Sequence, residues 1–212
     1  MPDARSTTLY VVRHGETEYN RKHIMQGSGV DCPLNERGTA QANALATRLA
    51  NEVSFDAVYA STLTRARQTA RIVATPHEPV SFAYLDDLKE IDWGIYEGTE
   101  PSEHRDKAME TIKEAWRKGH VERAVEEGES PRQVEARARR ALDIIVSSHP
   151  GENVLVVTHG RYMRIMLASA LYNHDLTRMP DVPHANTGLY VIHYNGGTYR
   201  ATVRNSVAHL SA

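Results

Sequence analysis

The sequence predicts an α/β fold, a three-layer sandwich in which a mostly parallel central sheet has helices on both faces. Short apolar runs alternate with segments whose apolar residues recur at helical spacing, the pattern of a parallel sheet covered by helices. The runs at residues 9–12, 57–60 and 154–157 are apolar without interruption, which is typical of strands buried on both faces. A length of 212 residues suits one domain.

The first elements follow from local signals. A strand at residues 9–12 leads into a loop marked by glycine and proline over residues 15–33. A helix is predicted from about residue 36 to residue 50, because its apolar residues share one face and Asn35 suits the N-cap. The next strand precedes a second amphipathic helix, which we expect Ser61 to cap.

The middle of the chain, residues 98–129, differs from the rest. It carries six basic and nine acidic side chains and only a thin apolar stripe. We interpret it as a helical insertion over the sheet, within a single domain of residues 1–212, and not as a second domain.

The last third returns to the alternating pattern. Residues 130–133, Ser-Pro-Arg-Gln, have the form of a capping box that begins a helix. The strand at residues 154–157 is followed by a helix through residues 164–171. The tail alternates apolar and polar residues on both sides of a turn at residues 195–196, which predicts a β-hairpin.

Composition excludes several classes of protein. The formal net charge is −2 without a long basic run, so neither nucleic acid nor a membrane surface is expected as a partner. No apolar run approaches the roughly 18 residues of a membrane span, and the first residues lack a signal peptide's apolar segment. The single cysteine, Cys32, argues against a disulfide or a thiolate zinc site. We therefore predict a soluble cytoplasmic protein.

Two segments share one layout: an apolar strand, a polar residue, a histidine and a glycine. They end in His14-Gly15 and in His159-Gly160. Because the carboxyl ends of parallel strands meet at one edge of a sheet, both histidines are expected to face one crevice. The glycine after each would let a ligand approach the backbone. Chance placement of two of the eleven histidines is the alternative, which the repeated layout disfavours.

Arginines would make this edge an anion site. Arg13 adjoins His14, and Arg65 lies in the first turn of a helix after a strand, where backbone N–H groups favour anions. Their guanidinium groups would neutralise a phosphoryl group during its transfer. The chain has neither a Walker loop nor an Asp-x-Asp pair at a strand end, so no metal site is predicted. A histidine would then have to be the nucleophile.

These residues resemble the histidine phosphatase superfamily, which includes the cofactor-dependent phosphoglycerate mutases. The resemblance covers nearly the whole chain. Its motifs, in order, are Arg13-His14-Gly15, Gln26-Gly27 with Asp31-Cys32-Pro33-Leu34 and Gly38-x-x-Gln41, Ala60-Ser61-x-Leu63-x-Arg65, Leu88-Lys89-Glu90 with Gly94 and Glu97-Gly98, and Val157-Thr158-His159-Gly160. The segment at residues 98–129 is shorter than the central insertion of the mutases and looks more like the phosphatase branches.

The resemblance implies three catalytic residues. His14 would accept the phosphoryl group and form a phosphohistidine, and His159 would help to hold the phosphoryl oxygens. Glu90 would protonate the leaving oxygen and then, as a carboxylate, activate water. From the residues alone, Glu90 cannot be chosen over its acidic neighbours, and a surface carboxylate is the default interpretation.

The resemblance also implies residues that bind the substrate. They are Arg13, Asn20, Gln26, Gly27, Arg65 and Asn186. Glu16 and Thr17 are expected to shape the loop, and His23 is expected to be a bystander.

Together these inferences predict a metal-independent phosphatase that hydrolyses a small phosphorylated metabolite and needs no cofactor. The alternative reaction is phosphoryl transfer of the mutase type. A silent phosphoprotein-binding module is an alternative of another class, which the presence of His14, Glu90 and His159 disfavours. The excess of acidic over basic side chains at residues 98–129 disfavours a polyphosphorylated substrate. The sequence leaves open whether the chain forms a homodimer.

Overall fold

Six strands form one sheet in the computed structural model, which describes residues 6–211. They are β1 (Thr7–Arg13), β2 (Ala57–Ser61), β3 (Ser81–Leu85), β4 (Asn153–Thr158), β5 (Leu189–Asn195) and β6 (Thr198–Ser206). Their order across the sheet is β3-β2-β4-β1-β5-β6. The first four in this order are parallel, whereas β5 and β6 are antiparallel to their neighbours. The predicted mostly parallel sheet is confirmed.

Helices cover both faces of this sheet. They are α1 (Glu18–Arg21), α2 (Glu36–Glu52), α3 (Thr64–Ala74), α4 (Glu103–Arg117), α5 (Pro131–Ser148) and α6 (Gly160–Leu171). Alternate side chains of β1 point to opposite faces. Leu9 and Val11 belong to the core that α5 and α6 cover, and Val12 belongs to the core under α2 and α3. The three predicted layers are therefore present.

The register between β1 and β4 determines where the polar strand ends meet. Arg13 is paired with Thr158, the last residue of β4. The backbone N–H of His14 donates to the Thr158 carbonyl at 2.9 Å. His14 and His159, which follow these paired residues, therefore leave the sheet side by side.

Two helices begin with the predicted caps. The Asn35 side chain accepts a hydrogen bond from the Gly38 N–H at 2.8 Å and caps α2. At α5, the Ser130 hydroxyl accepts from the Gln133 N–H, and the Gln133 side chain accepts from the Ser130 N–H at 2.8 Å. These bonds satisfy N–H groups that the first turn of a helix leaves without partners.

Two predictions about the second strand and its surroundings are wrong. Ser61 is the last residue of β2, and α3 begins after Leu63 without a side-chain cap. The strand β3 is absent from the sequence prediction. It lies at the edge of the sheet, and its five residues are exposed or only partly buried, so no long apolar run marks it.

Two boundaries also differ. Helix α6 begins at Gly160, four residues before the predicted start, because the chain turns into a helix directly after His159. The predicted hairpin is present, but Asn195 still pairs with Thr198, so Gly196 and Gly197 form the turn. Both glycines have positive φ, 54° and 92°, which a two-residue hairpin turn requires.

The segment at residues 98–129 contains one helix, α4, and irregular backbone after it. Met109 and Trp116 are buried against the rest of the protein, and the Trp116 ring N–H donates to the Arg123 carbonyl at 2.7 Å. About half of the segment is thus helical. Within the described residues, no helix is long and apolar enough to cross a membrane.

The capping box at Ser130 yields a prediction about stability. Replacing Ser130 with Ala removes the hydroxyl that accepts from Gln133, so we expect unfolding free energy to fall by about 1 kcal/mol. Urea denaturation measures this change. The exposed Ser148, at the other end of α5, is the control, and Ser148→Ala should not destabilise the protein. Equal unfolding midpoints for both variants would contradict a stabilising role of the cap.

Candidate active site

A cavity of about 470 Å³ opens at the carboxyl edge of the parallel strands. Seven of the nine predicted site residues line it, namely Arg13, His14, Asn20, Gln26, Arg65, Glu90 and Asn186. The other two are His159, which packs against His14, and Gly27, which does not line the cavity. Strand ends and loops from distant parts of the chain are thus brought together here.

His14 is oriented by its own loop. Its side chain is 3% exposed, and its Nδ1 lies 2.7 Å from the Gly15 carbonyl oxygen. Because a carbonyl can only accept, Nδ1 carries the proton and Nε2 keeps a free lone pair. Burial, together with the charges of Arg65 and Arg13, holds the pKa of His14 well below its ordinary value of 6.5. The imidazole is therefore neutral at physiological pH.

His159 lies next to His14, with 5.2 Å between the ring centroids. It is fully buried, and within residues 6–211 neither of its ring nitrogens has a hydrogen-bonding partner. Burial and the nearby Arg65 charge lower its pKa well below 6.5. A buried polar group without a partner is costly, so this ring is suited to donate to a bound ligand.

Two arginines of the site, the fully buried Arg65 and the half-buried Arg13, are held by backbone carbonyls. Arg13 donates to the His184 carbonyl at 2.8 Å, and Arg65 donates to the carbonyls of Val30 at 2.7 Å and Gly27 at 3.0 Å. In both, the Nε group is buried without a partner among the described residues. Burial lowers the pKa of Arg13 to about 10, which still leaves it protonated at neutral pH. Carbonyls orient these guanidinium groups without neutralising their charge.

Glu90 is buried, so the interpretation as a surface carboxylate is wrong. It is 7% exposed. Its Oε1 accepts from the backbone N–H groups of Ile91 at 2.9 Å and Tyr162 at 2.7 Å, and its Oε2 accepts from that of Arg161 at 2.9 Å. Glu90 thereby satisfies free N–H groups in the first turn of α6. Each carboxylate oxygen has two lone pairs, so Oε2 keeps one for a proton or a water molecule.

Arg137, which no sequence signal marks, holds the segment that carries Glu90. Its guanidinium donates to the carbonyls of Asp87 at 3.1 Å, Lys89 at 2.6 Å and Glu90 at 3.0 Å. It also pairs with the Glu129 carboxylate at 2.9 Å. Three hydrogen bonds from one rigid group fix the backbone at Glu90, and the pairing with Glu129 holds that group in place.

Asn20 and Asn186 meet at the wall of the cavity. The Asn186 amide donates to the His14 carbonyl at 3.0 Å and to the Asn20 side-chain oxygen at 3.3 Å. Thr187 follows in the left-handed region with φ of 52°, which is uncommon for a β-branched residue. Its N–H donates to the Arg13 carbonyl at 3.1 Å, which ties this strained turn to β1.

Gln26 and Gly27 have mainly structural contacts. The Gln26 side-chain oxygen accepts from the hydroxyl of Thr17 at 3.0 Å and the thiol of Cys32 at 2.9 Å. Its amide nitrogen is buried without a partner in the described chain. Gly27 holds Arg65 through its carbonyl and leaves room for Glu97, since a Cβ at this position would clash with that carboxylate.

The two glycines that follow the histidines differ in position, because Gly160 lines the cavity and Gly15 does not. A Cβ on Gly15 would lie 2.5 Å from the carbonyl oxygen of Gly38. A Cβ on Gly160 would lie 2.7 Å from the His184 ring and 3.1 Å from Nε of Arg13. A side chain at either position would therefore clash with neighbouring protein atoms.

Eight further residues line the cavity, and four of them are histidines or arginines that the sequence did not indicate as binding residues: His23, Arg105, Arg161 and His184. His23, the expected bystander, has φ of 56°, and its carbonyl accepts from Arg105 at 3.1 Å. Burial lowers the pKa of His184 to about 3, so its imidazole is neutral. No periodicity or local motif could have found these residues, because they reach the cavity from separate loops and helices.

The cavity is built to bind an anion. Among residues 6–211, no group of three or more His, Cys, Asp or Glu side chains is placed to hold a metal ion. Instead, Arg13 and Arg65 each have a buried Nε group, and His159 has ring nitrogens, that lack a partner among these residues. All three side chains lie near the neutral His14. Guanidinium groups match the geometry of phosphate and carboxylate oxygens.

Comparisons with known proteins agree with this geometry. The chain is 32% identical over 210 residues to the metal-independent phosphoserine phosphatase of Arabidopsis thaliana, covering 99% of this chain and 86% of that protein. It is 30% identical over 212 residues to phosphoglycerate mutase-like protein 4 of the same plant, covering 98% and 89%. The solved structure of Bacillus stearothermophilus YhfR matches with a TM-score of 0.83 and 34% identity, covering 96% of this chain and 99% of that one.

The family model of the histidine phosphatase superfamily (branch 1) matches residues 9–207. This range includes both histidines, both arginines and Glu90. The fold that joins them is shared with the solved structure of YhfR, and the matched relatives are named as a phosphatase and a phosphoglycerate mutase-like protein. The chain belongs to the histidine phosphatase superfamily.

Proposed function

We propose that the protein is a phosphatase that hydrolyses small phosphomonoesters through a phosphohistidine on His14. One observation carries this proposal: a neutral histidine with a free Nε2 lone pair lies beside arginines that have no carboxylate partner within residues 6–211. A phosphoryl group is the anion that such a nucleophile can attack. The Arabidopsis relative named as a phosphoserine phosphatase supports the same reaction class.

The donors around His14 suit the phosphoryl oxygens. Arg13 Nε, Arg65 Nε and a ring nitrogen of His159 are buried, and each would gain an acceptor when a phosphoryl group binds. An unsatisfied buried donor costs about 1–3 kcal/mol, so binding removes a penalty that the folded protein carries. The two guanidinium charges would supply the neutralisation that a metal ion supplies in other phosphatases.

The proposed reaction has two steps. Nε2 of His14 attacks phosphorus, the bond from phosphorus to the ester oxygen breaks, and Glu90 gives its proton to the leaving oxygen. Glu90, now a carboxylate, then takes a proton from a water molecule whose oxygen attacks the phosphohistidine. The bond between phosphorus and nitrogen breaks, which releases inorganic phosphate and restores the lone pair on Nε2.

The dimensions of the site favour a small substrate. His14 is almost fully buried at the base of a cavity of about 470 Å³, which suits a metabolite and excludes a folded protein surface. We therefore propose a small phosphorylated metabolite as the partner. The near-neutral net charge of −2 gives no reason to propose nucleic acid or a membrane surface.

A mutase is the second candidate, because one relative is named phosphoglycerate mutase-like. A mutase must protect its phosphohistidine from water until the intermediate reorients. The cavity wall includes polar groups such as His23 and Arg105, and its apolar side chains are Ile24, Met25 and Trp93. Such a wall seals poorly against water, which favours hydrolysis.

The nucleophile can be tested directly. We expect His14→Ala to lose essentially all turnover of phosphomonoesters, because Nε2 is the atom that accepts the phosphoryl group. Wild-type protein, quenched during turnover with a ³²P-labelled ester, should carry an acid-labile, base-stable phosphoryl group. The exposed His120 is the control, and His120→Ala should keep full activity. Turnover by His14→Ala would refute the covalent mechanism.

The role of Glu90 predicts a dependence on the leaving group. Glu90→Gln should lower kcat/KM for an alkyl phosphate by about 10²–10⁴-fold, since the alkoxide must be protonated as it leaves. The loss should be much smaller for para-nitrophenyl phosphate, whose phenolate leaves without a proton. Thermal unfolding checks that the variant still folds, because Glu90 also accepts hydrogen bonds from the first turn of α6. Equal losses for both esters would show that Glu90 acts only through structure.

Hydrolysis and mutase activity can be separated in one assay. With 3-phosphoglycerate and a trace of 2,3-bisphosphoglycerate, we expect little 2-phosphoglycerate, because water reaches the phosphohistidine before the intermediate reorients. Inorganic phosphate should appear from at least some of a panel of phosphomonoesters. Rapid interconversion of the two phosphoglycerates without release of phosphate would instead establish the mutase reaction.

A further inference from the structure

A second, smaller cavity adjoins the candidate active site. It has a volume of about 120 Å³, and Arg161 lines both cavities. Lys113 of α4 and Arg164 of α6 also line the smaller one, and no acidic residue does. We call the part formed by Lys113, Arg161 and Arg164 the basic pocket.

The charges of the basic pocket have no acidic partners. Within residues 6–211, the side chains of Lys113 and Arg161 form no ion pair or hydrogen bond, and Arg164 donates only to the Val182 carbonyl at 2.9 Å. Burial and neighbouring positive charges lower the pKa of Lys113, and that of Arg161 to about 10. Arg117 also reaches this cavity, but it is paired with Glu110. Three cations that share a cavity, and that form no ion pair with an acidic side chain of the described residues, are expected where an anion binds.

Arg161 is held at the junction of the two cavities. Its guanidinium carbon lies 5.8 Å from the ring centroid of Trp93 and 5.9 Å from that of Trp116, within the range of cation–π contact. The two tryptophans stack on each other at 6.0 Å. Its backbone N–H donates to Glu90. The residue therefore links the proposed general acid to the basic pocket.

We propose that the preferred substrate carries a second anionic group, a carboxylate or a second phosphate, which binds to Arg161 and Lys113 in the basic pocket. This inference rests on the proposed function, in which Arg13 and Arg65 already match the charge of the phosphoryl group. The volume of about 120 Å³ leaves room for a carboxylate or phosphate group. Guanidinium and ammonium groups bind both kinds of oxyanion.

Binding to a protein that cannot turn over its ligand tests this inference independently of hydrolysis. Calorimetry with His14→Ala would compare glycerol 3-phosphate, 3-phosphoglycerate and glycerol 1,3-bisphosphate. The second ester has a carboxylate, and the third a phosphate, where the first has only a hydroxyl. We expect one or both to bind about tenfold to hundredfold more tightly than glycerol 3-phosphate, as charge-assisted hydrogen bonds provide. Which of the two gains more identifies the second group.

Variants then show which side chains produce this gain in affinity. In the His14→Ala background, Lys113→Met should remove most of the gain while changing the affinity for glycerol 3-phosphate by less than about twofold. Arg161→Gln, at a residue that also lines the active-site cavity, should lower the affinity for the ester with the gain by a much larger factor than the affinity for glycerol 3-phosphate. Lys118→Met is the matched control, because Lys118 is an exposed lysine of the same segment that pairs with Glu114. It should keep the gain.

Two results would overturn the inference: equal affinities for the three esters, or a gain that survives in both variants. Failure of the proposed function has a different signature, since wild-type protein would then release no phosphate and form no phosphohistidine, whatever the binding data show.

Discussion

The parallel pairing of β1 with β4 is the constraint on which the rest of the site depends. Since Arg13 is paired with Thr158, the residues that follow them, His14 and His159, must leave the sheet as neighbours. A slip of one residue would turn the side chains of β1 to the opposite face and bury Arg13 in an apolar core. The same pairing is enforced by Val11, which belongs to one core only. The strand register that packs the core therefore also places the two histidines side by side.

This arrangement costs stability because it buries positive charge without neutralising it. Arg13 and Arg65 are oriented by carbonyls, and their burial lowers the pKa of both. Buried, unpaired charges are normally avoided. Here they leave N–H groups and positive charge free for a ligand, and the hydrogen bonds of Glu90 and Arg137 hold the opposite wall in place. The site is therefore ready to bind an anion, and the protein without a ligand is less stable as a result.

The sequence predicted the elements whose signal is local. Continuous apolar runs reveal buried strands, and the histidines at their ends follow from strand polarity. Glu90 required the family resemblance, because its importance comes from contacts with α6, more than 70 residues away in sequence. Arg137 and His184 were missed for the same reason, since a long-range hydrogen bond leaves no periodic pattern. The prediction that Ser61 caps α3 was wrong because a serine at the end of a strand and a serine at an N-cap have the same sequence signal. The pairing of Ser61 in the sheet distinguishes them.

Counting charges along the chain also gave an incomplete account of where cations gather in the fold. The acidic excess of residues 98–129 disfavours a polyanionic substrate only if all the charges of this segment lie equally close to the site. In the fold, Glu110 and Glu114 pair with Arg117 and Lys118 on the exposed side of α4. Lys113 is left free, and α6 brings its arginines beside it. Local potential depends on which side chains share a face, so an acidic segment can still contribute a cation to an anion-binding site.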